Sequence, residues 1–126
     1  MTTHSHKAVL MVAHGARAAG WDAPFQRILQ ALQTTPGSEV HYALAFLEHK
    51  EPSVTISVAE LVERGCTHIT LVPMLLGVGM HAREDLPRHK TEAEATHPQV
   101  QFVLSATLGE DGGMLDAMAG FVRAAG

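Results

Sequence analysis

Apolar residues gather in four nearly unbroken runs, Ala8–Ala13, Val40–Leu47, Ile69–Leu76 and Val100–Ala106, and the segments between them switch to helical spacing. Runs that are continuous rather than alternating are those of strands covered on both faces. In the intervening segments Phe25, Ile28, Leu29 and Leu32 fall on one stripe, as do Val54, Val58, Leu61 and Val62, and later Leu115, Met118, Ala119 and Val122. Pro52 suits a helix start, Gly65 a position just past a helix end, and Gly112-Gly113 precedes the last stripe. A further helix is expected over roughly Arg83–Ala95, with Pro87 either in its first turn or breaking it.

Alternating strands and helices build βαβ units, and right-handed crossovers then give a three-layer α/β sandwich around a four-stranded parallel sheet in flavodoxin-like order. With no linker or low-complexity tract, residues 1–126 read as a single domain, and 1–7 as a flexible N-terminal tail. Four strands make a narrow sheet with an exposed edge, so pairing with a second copy of the chain is expected.

Composition narrows the classes. The 46% hydrophobic content is that of a globular domain, no run approaches the ~20 apolar residues of a membrane span, and Met1–Lys7 lacks the order of a secretion signal. A cytoplasmic location is therefore expected. A single cysteine, Cys66, excludes an internal disulfide and any multi-cysteine metal site built from one chain, and it reads as a small buried hydrophobe. Net charge −4 with 9 Lys+Arg offers no overall attraction to nucleic acid, so an anionic ligand must be held by a local cluster. Nine histidines are the anomaly. His41, His68, His89 and His97 share no spacing, and His4 and His6 form a His-x-His near the terminus.

Three polar groups stand out by position. His14 directly follows the first run, Glu48 closes the second, and His81 lies just beyond the third. In an open parallel sheet all three emerge at the carboxyl edge, where such proteins bind ligands. Two imidazoles and a carboxylate there suit metal binding, proton transfer, or both. In Val12-Ala13-His14-Gly15-Ala16-Arg17 the glycine lets the chain turn sharply away, and the segment lacks the spacing of a phosphate-binding loop. In Pro73–Pro87, Gly77 and Gly79 allow close approach of backbone to a flat ligand, Leu76 and Met80 offer apolar contact, and Asp85 stands four residues after His81. Glu48 or Glu51 could equally complement the dipole of the helix that follows.

Taken together, His-Gly-Ala-Arg after a strand, Phe-Leu-Glu before a Glu-Pro helix start, and Val-Pro-Met-Leu-Leu-x-x-Gly-x-His-x-x-x-Asp-Leu-Pro resemble the small class II chelatases that act on sirohydrochlorin. The resemblance runs from about Ala8 to the final helix. It departs at Ala16, where serine is common, and at Met74 and Leu75, where aromatic residues often follow the proline.

The resemblance implies a chelatase-like half-molecule working as a homodimer. It implies ATP-independent insertion of Co2+ or Fe2+, in some members Ni2+, into sirohydrochlorin on the way to siroheme or cobalamin. The metal is a substrate, and no tightly bound cofactor is expected. Carried onto this chain, His14, His81 and Glu48 would be both metal ligands and catalytic residues. Arg17 and Arg83, with Lys50 a third candidate, would meet the macrocycle's carboxylates, and Gly77, Gly79 and Met80 would face the macrocycle. The residue types suit the task, because imidazole binds these ions without thiolate tenacity and titrates near neutral pH. A non-catalytic metal or tetrapyrrole carrier would use the same ligands. A histidine phosphatase would place an arginine immediately before the histidine, where this chain has Ala13.

Overall fold

The computed structural model describes residues 6–37 and 39–126. Along the chain these form β1 (Lys7–Ala13), α1 (Ala23–Gln33), β2 (His41–Phe46), α2 (Val54–Glu63), β3 (His68–Pro73), α3 (Met80–Thr96), β4 (Gln101–Leu104), a 3-10 turn (Leu108–Glu110) and α4 (Gly112–Ala125). The strands are all parallel and lie in the order β2–β1–β3–β4, the flavodoxin-like arrangement expected from the alternation. Among the described residues no helix is long and apolar enough to cross a membrane.

Both faces of β1 are covered, which explains its unbroken apolar run. Ala8, Leu10 and Val12 point with Ile69, Leu71 and Phe102 toward α2 and α3, where Val54, Val58, Leu61, Ala82, Leu86 and Ala93 close the main core. Met11 and Ala13 point the other way with Leu44 and Phe46 and receive Trp21, Phe25, Leu29 and Leu32. At ~25 cal/mol per Å² of apolar surface, these two layers supply the main term holding the sheet together.

The chain's punctuation has identifiable chemistry. Ser53 caps α2 by accepting from the Ile56 N–H at 3.2 Å, so Pro52 precedes the cap instead of opening the helix. At its other end Gly65 adopts φ +93°, and the Cys66 and Gly65 amides return to the Leu61 and Val62 carbonyls in a Schellman motif. Cys66 is buried, and burial pushes its thiol pKa up, as suits a small core residue.

Several expectations are corrected. Pro87 falls in the interior of α3, neither in its first turn nor at a break, and α3 begins at Met80. The lost N–H is tolerated because Ala82, Leu86 and Ala93 bury the helix on the core. Beyond β3, Met74 and Leu75 are apolar because they pack under the sheet edge rather than extend the strand. Gly112 and Gly113 precede the last stripe as expected, and they do so as the first residues of α4. The tail expected over 1–7 gives way at its end: Lys7 belongs to β1, and the His6 carbonyl accepts from the Thr67 and His68 amides at 2.8 and 3.0 Å. Residues 1–5, with His4, lie outside the described residues.

Candidate active site

Three chain crossings at the carboxyl edge of the sheet bring the predicted groups together. The β1–β2 pairing continues past both strand ends, with the Leu47 amide donating to the Ala13 carbonyl at 2.9 Å and the Glu48 amide to the His14 carbonyl at 3.0 Å. These bonds set His14 and Glu48 side by side. Their side chains meet at 2.8 Å between His14 Nε2 and Glu48 Oε1, and each is about half exposed. Gly15 makes the approach possible: it sits at φ +97°, and a Cβ there would fall on the Glu48 carbonyl oxygen.

His81 arrives differently. It lies in the first turn of α3, after the loop that follows Pro73, and faces the same cavity as His14 and Glu48. That cavity is about 290 Å³ and is lined by His14, Leu47, Glu48, His81, Ala82 and Asp85. Asp85 is committed elsewhere. It accepts from Arg88 at 2.6 Å, and that hydrogen bond, with the Arg88 charge, holds its carboxyl below the ordinary carboxylate range. Among the described residues no three His, Cys, Asp or Glu side chains converge closely enough to hold a metal ion together. The assembled part is the His14–Glu48 pair, with His81 across the same cavity.

One neighbour escaped sequence reasoning. His49, at φ +65°, places Nε2 3.7 Å from Glu48 Oε2, so the carboxylate stands between two imidazoles. Its adjacency to Glu48 was the available signal, and the left-handed backbone that turns it back was not legible.

The candidate cations are not brought into this cavity. Arg17 is exposed on the bend after Gly15. Arg83 lines a neighbouring cavity of about 510 Å³ with Pro73, Leu86, Ser105 and Glu110, because two residues along a helix turn a side chain by ~200° from His81. Lys50 pairs with Asp22 at 3.4 Å. Gly77 and Gly79 have open space around them, and Met80 stands 81% exposed, on the rim rather than in the cavity. His89 and His97 line a separate cavity between α2 and α3, and burial lowers the His89 pKa.

A four-stranded parallel sheet in this order, with two histidines and a glutamate around one cavity at its carboxyl edge, defines a chelatase-like α/β domain. The match to a family model is specific: residues 8–125 fit CbiX, and the chain belongs to that family. It is 32% identical over 108 residues to sirohydrochlorin ferrochelatase of Bacillus subtilis (strain 168), covering 83% of this chain and 40% of that protein. It is 27% identical over 113 residues to sirohydrochlorin cobaltochelatase of Sulfolobus acidocaldarius, covering 87% of this chain and 85% of that one. The crystal structure of the sirohydrochlorin chelatase SirB from Bacillus subtilis subspecies spizizenii in complex with cobalt superposes with a TM-score of 0.79 at 26% identity, over 93% of this chain and 50% of that chain. The chain thus spans about two fifths to one half of its Bacillus relatives and most of the archaeal one.

Proposed function

We propose that the protein inserts a divalent metal ion, Co2+ or Fe2+ and also Ni2+, into sirohydrochlorin without ATP, as a step toward siroheme or cobalamin. The reading rests on the His14–Glu48 pair at 2.8 Å facing His81 across one cavity at the sheet's carboxyl edge. The names of its relatives, ferrochelatase and cobaltochelatase, and the cobalt bound to SirB support the choice of metals. The metal is substrate, and no resident cofactor is invoked.

Insertion exchanges one divalent ion for two pyrrole N–H protons, so the site must loosen the ion's water and accept two protons. His14 and His81 serve as loose ligands and as proton acceptors. Glu48 orients the His14 ring through Nε2, in the manner of a carboxylate behind a metal-binding histidine. Two imidazoles with open coordination positions hand the ion on instead of keeping it. Arg17, exposed on the bend after Gly15, and Arg83, in the neighbouring cavity, take carboxylates of the macrocycle, and Gly77, Gly79 and Met80 give its flat face a close, apolar approach. The chain acts in the cytoplasm as a homodimer.

The test is an anaerobic absorbance assay of sirohydrochlorin with Co2+, Fe2+ or Ni2+. Multiple turnovers, lost in His14→Ala and His81→Ala, are expected. Stoichiometric binding of metal or macrocycle without accelerated insertion would replace the enzyme by a carrier.

A further inference from the structure

The two carboxylate oxygens of Glu48 have different surroundings. Oε1 meets His14 Nε2 at 2.8 Å, beside the cavity that His14, Glu48 and His81 line together. Oε2 stands 3.7 Å from Nε2 of His49, which does not line that cavity and whose side chain is 38% exposed. One carboxylate thus links an imidazole of the site to an imidazole outside it.

These contacts differ in kind. At 2.8 Å the His14–Glu48 pair is hydrogen-bonded, whereas 3.7 Å is too long for a hydrogen bond. It is a natural separation for two ligands of one ion. With each metal–ligand bond about 2.0–2.2 Å long, nitrogen and oxygen ligands of a common ion stand roughly 3–4 Å apart. Imidazole with carboxylate is a donor set that divalent first-row ions accept. Among the described residues no group of three His, Cys, Asp or Glu closes a site here, so water keeps the other positions. That suits an ion in passage better than one that is kept.

The loop carrying His49 is built to hold this geometry. The Glu48 amide is tied to the His14 carbonyl at 3.0 Å, and the Phe46 amide donates to the Pro52 carbonyl at 3.0 Å, closing the loop at its base. Lys50 is taken up by Asp22 at 3.4 Å. Between these anchors His49 adopts φ +65°, a left-handed conformation disfavoured for residues with a Cβ. Glycine would fit there with less strain, so the backbone alone gives no reason for a histidine.

We propose that His49 and Glu48 form an entry site through which the divalent ion reaches the cavity from the side. The inference rests on the proposed metal insertion and adds the path by which the ion arrives. A flat macrocycle lying over the cavity would cover His14 and His81 and close the direct approach from solvent. His49 and the outer oxygen of Glu48, outside the cavity, stay reachable. The ion exchanges one water for His49 Nε2 and another for Glu48 Oε2, then passes from Oε2 to Oε1 and into the cavity between His14 and His81, releasing His49. Each step swaps one ligand for another, nothing is oxidised or reduced, and the two pyrrole protons leave only at the later insertion.

Order of addition tests the route. Glycine suits φ +65°, so His49→Gly should fold as the wild type does, with a urea midpoint no lower. When Co2+ is added to a preformed complex of protein and sirohydrochlorin, the variant should insert it with a second-order rate constant reduced about tenfold, while the rate at saturating Co2+ stays within about twofold of wild type. When the protein is loaded with Co2+ first and sirohydrochlorin follows, variant and wild type should match. Equal slowing in both orders would overturn the route and leave His49 as a support for Glu48, and no slowing in either would also overturn it. Both of those results, with a wild type that inserts Co2+, leave the proposed activity standing. A wild type that inserts in neither order would overturn the activity and the route together.

Discussion

The two halves of the candidate site are built to different standards of rigidity. On the β1–β2 side, His14 and Glu48 are fixed to neighbouring backbone by two amide bonds, a glycine packed against a carbonyl, and a 2.8 Å side-chain contact. On the β3 side, His81 is carried by a helix whose first residue is reached through Leu76, Gly77 and Gly79, all exposed, and whose N-cap, Gly79, has no side chain with which to bond the first-turn amides. For the proposed metal insertion, taking up an ion and releasing it into a macrocycle would gain from this division. Under that reading His14 would hold position while His81 is re-aimed as the ion changes hands.

The largest effects should come from the reacting groups. His14→Ala is expected to lower kcat for metal insertion by about 10²-fold or more, within the range for removing a positioned base. His81→Ala should fall in the same range, and His81→Gln should restore more activity than His14→Gln, because only the loop-borne position can adjust to a differently shaped donor. Equal rescue at both positions would erase the distinction between the halves.

Next in size is the backbone lock. Gly15→Ala forces a non-glycine residue to φ +97° and drives its Cβ onto the Glu48 carbonyl, costing at least the ~1–3 kcal/mol of a strained backbone conformation, readable as a lower urea midpoint. Gly79→Ser is the opposite case. Gly79 sits at φ −75°, ψ 174° in open space, so serine fits and supplies the missing cap, raising stability by about 0.5 kcal/mol. Because it stiffens the mobile half, it should also reduce kcat severalfold. Unchanged turnover would show that the loop need not move.

The smallest effect serves as a control on a histidine outside both halves. Burial, with Arg88 nearby, holds the His89 pKa below the usual imidazole value of about 6.5, so the unfolded chain takes up this proton first. The contribution is intact above pH 6.5 and is lost as pH falls from there through the folded pKa. His89→Gln should flatten that part of the stability profile and leave metal insertion unaltered.

How far these features could be read beforehand depends on their range. The sheet, its order and the placement of His14 and Glu48 just past strand ends were legible, because burial on both faces writes itself as unbroken apolar runs, whereas His81 sits in the first turn of α3. The course of α3 was not: Pro87 is locally a helix breaker, and the packing of Ala82, Leu86 and Ala93 overrides it. That Arg83 would line a neighbouring cavity was not legible, since a position two residues on from His81 falls on another side of the helix. Asp85, four residues from His81, had a stronger partner in Arg88. The apolar stripe of α4 was visible, but a stripe alone does not say which sheet it is for.

Asp111 gives the end of the chain an angular code. Because one residue both closes the 3-10 turn and opens α4, the rotational phase of the helix is set by chain length rather than by any contact along it. Inserting a single residue between Glu110 and Asp111 would rotate the stripe by ~100° and raise its start by ~1.5 Å, turning Asp116 or Arg123 toward whatever Phe121 had faced. In this segment a deletion or insertion is therefore more damaging than almost any substitution, and homologous chains aligned here should be compared by length before identity.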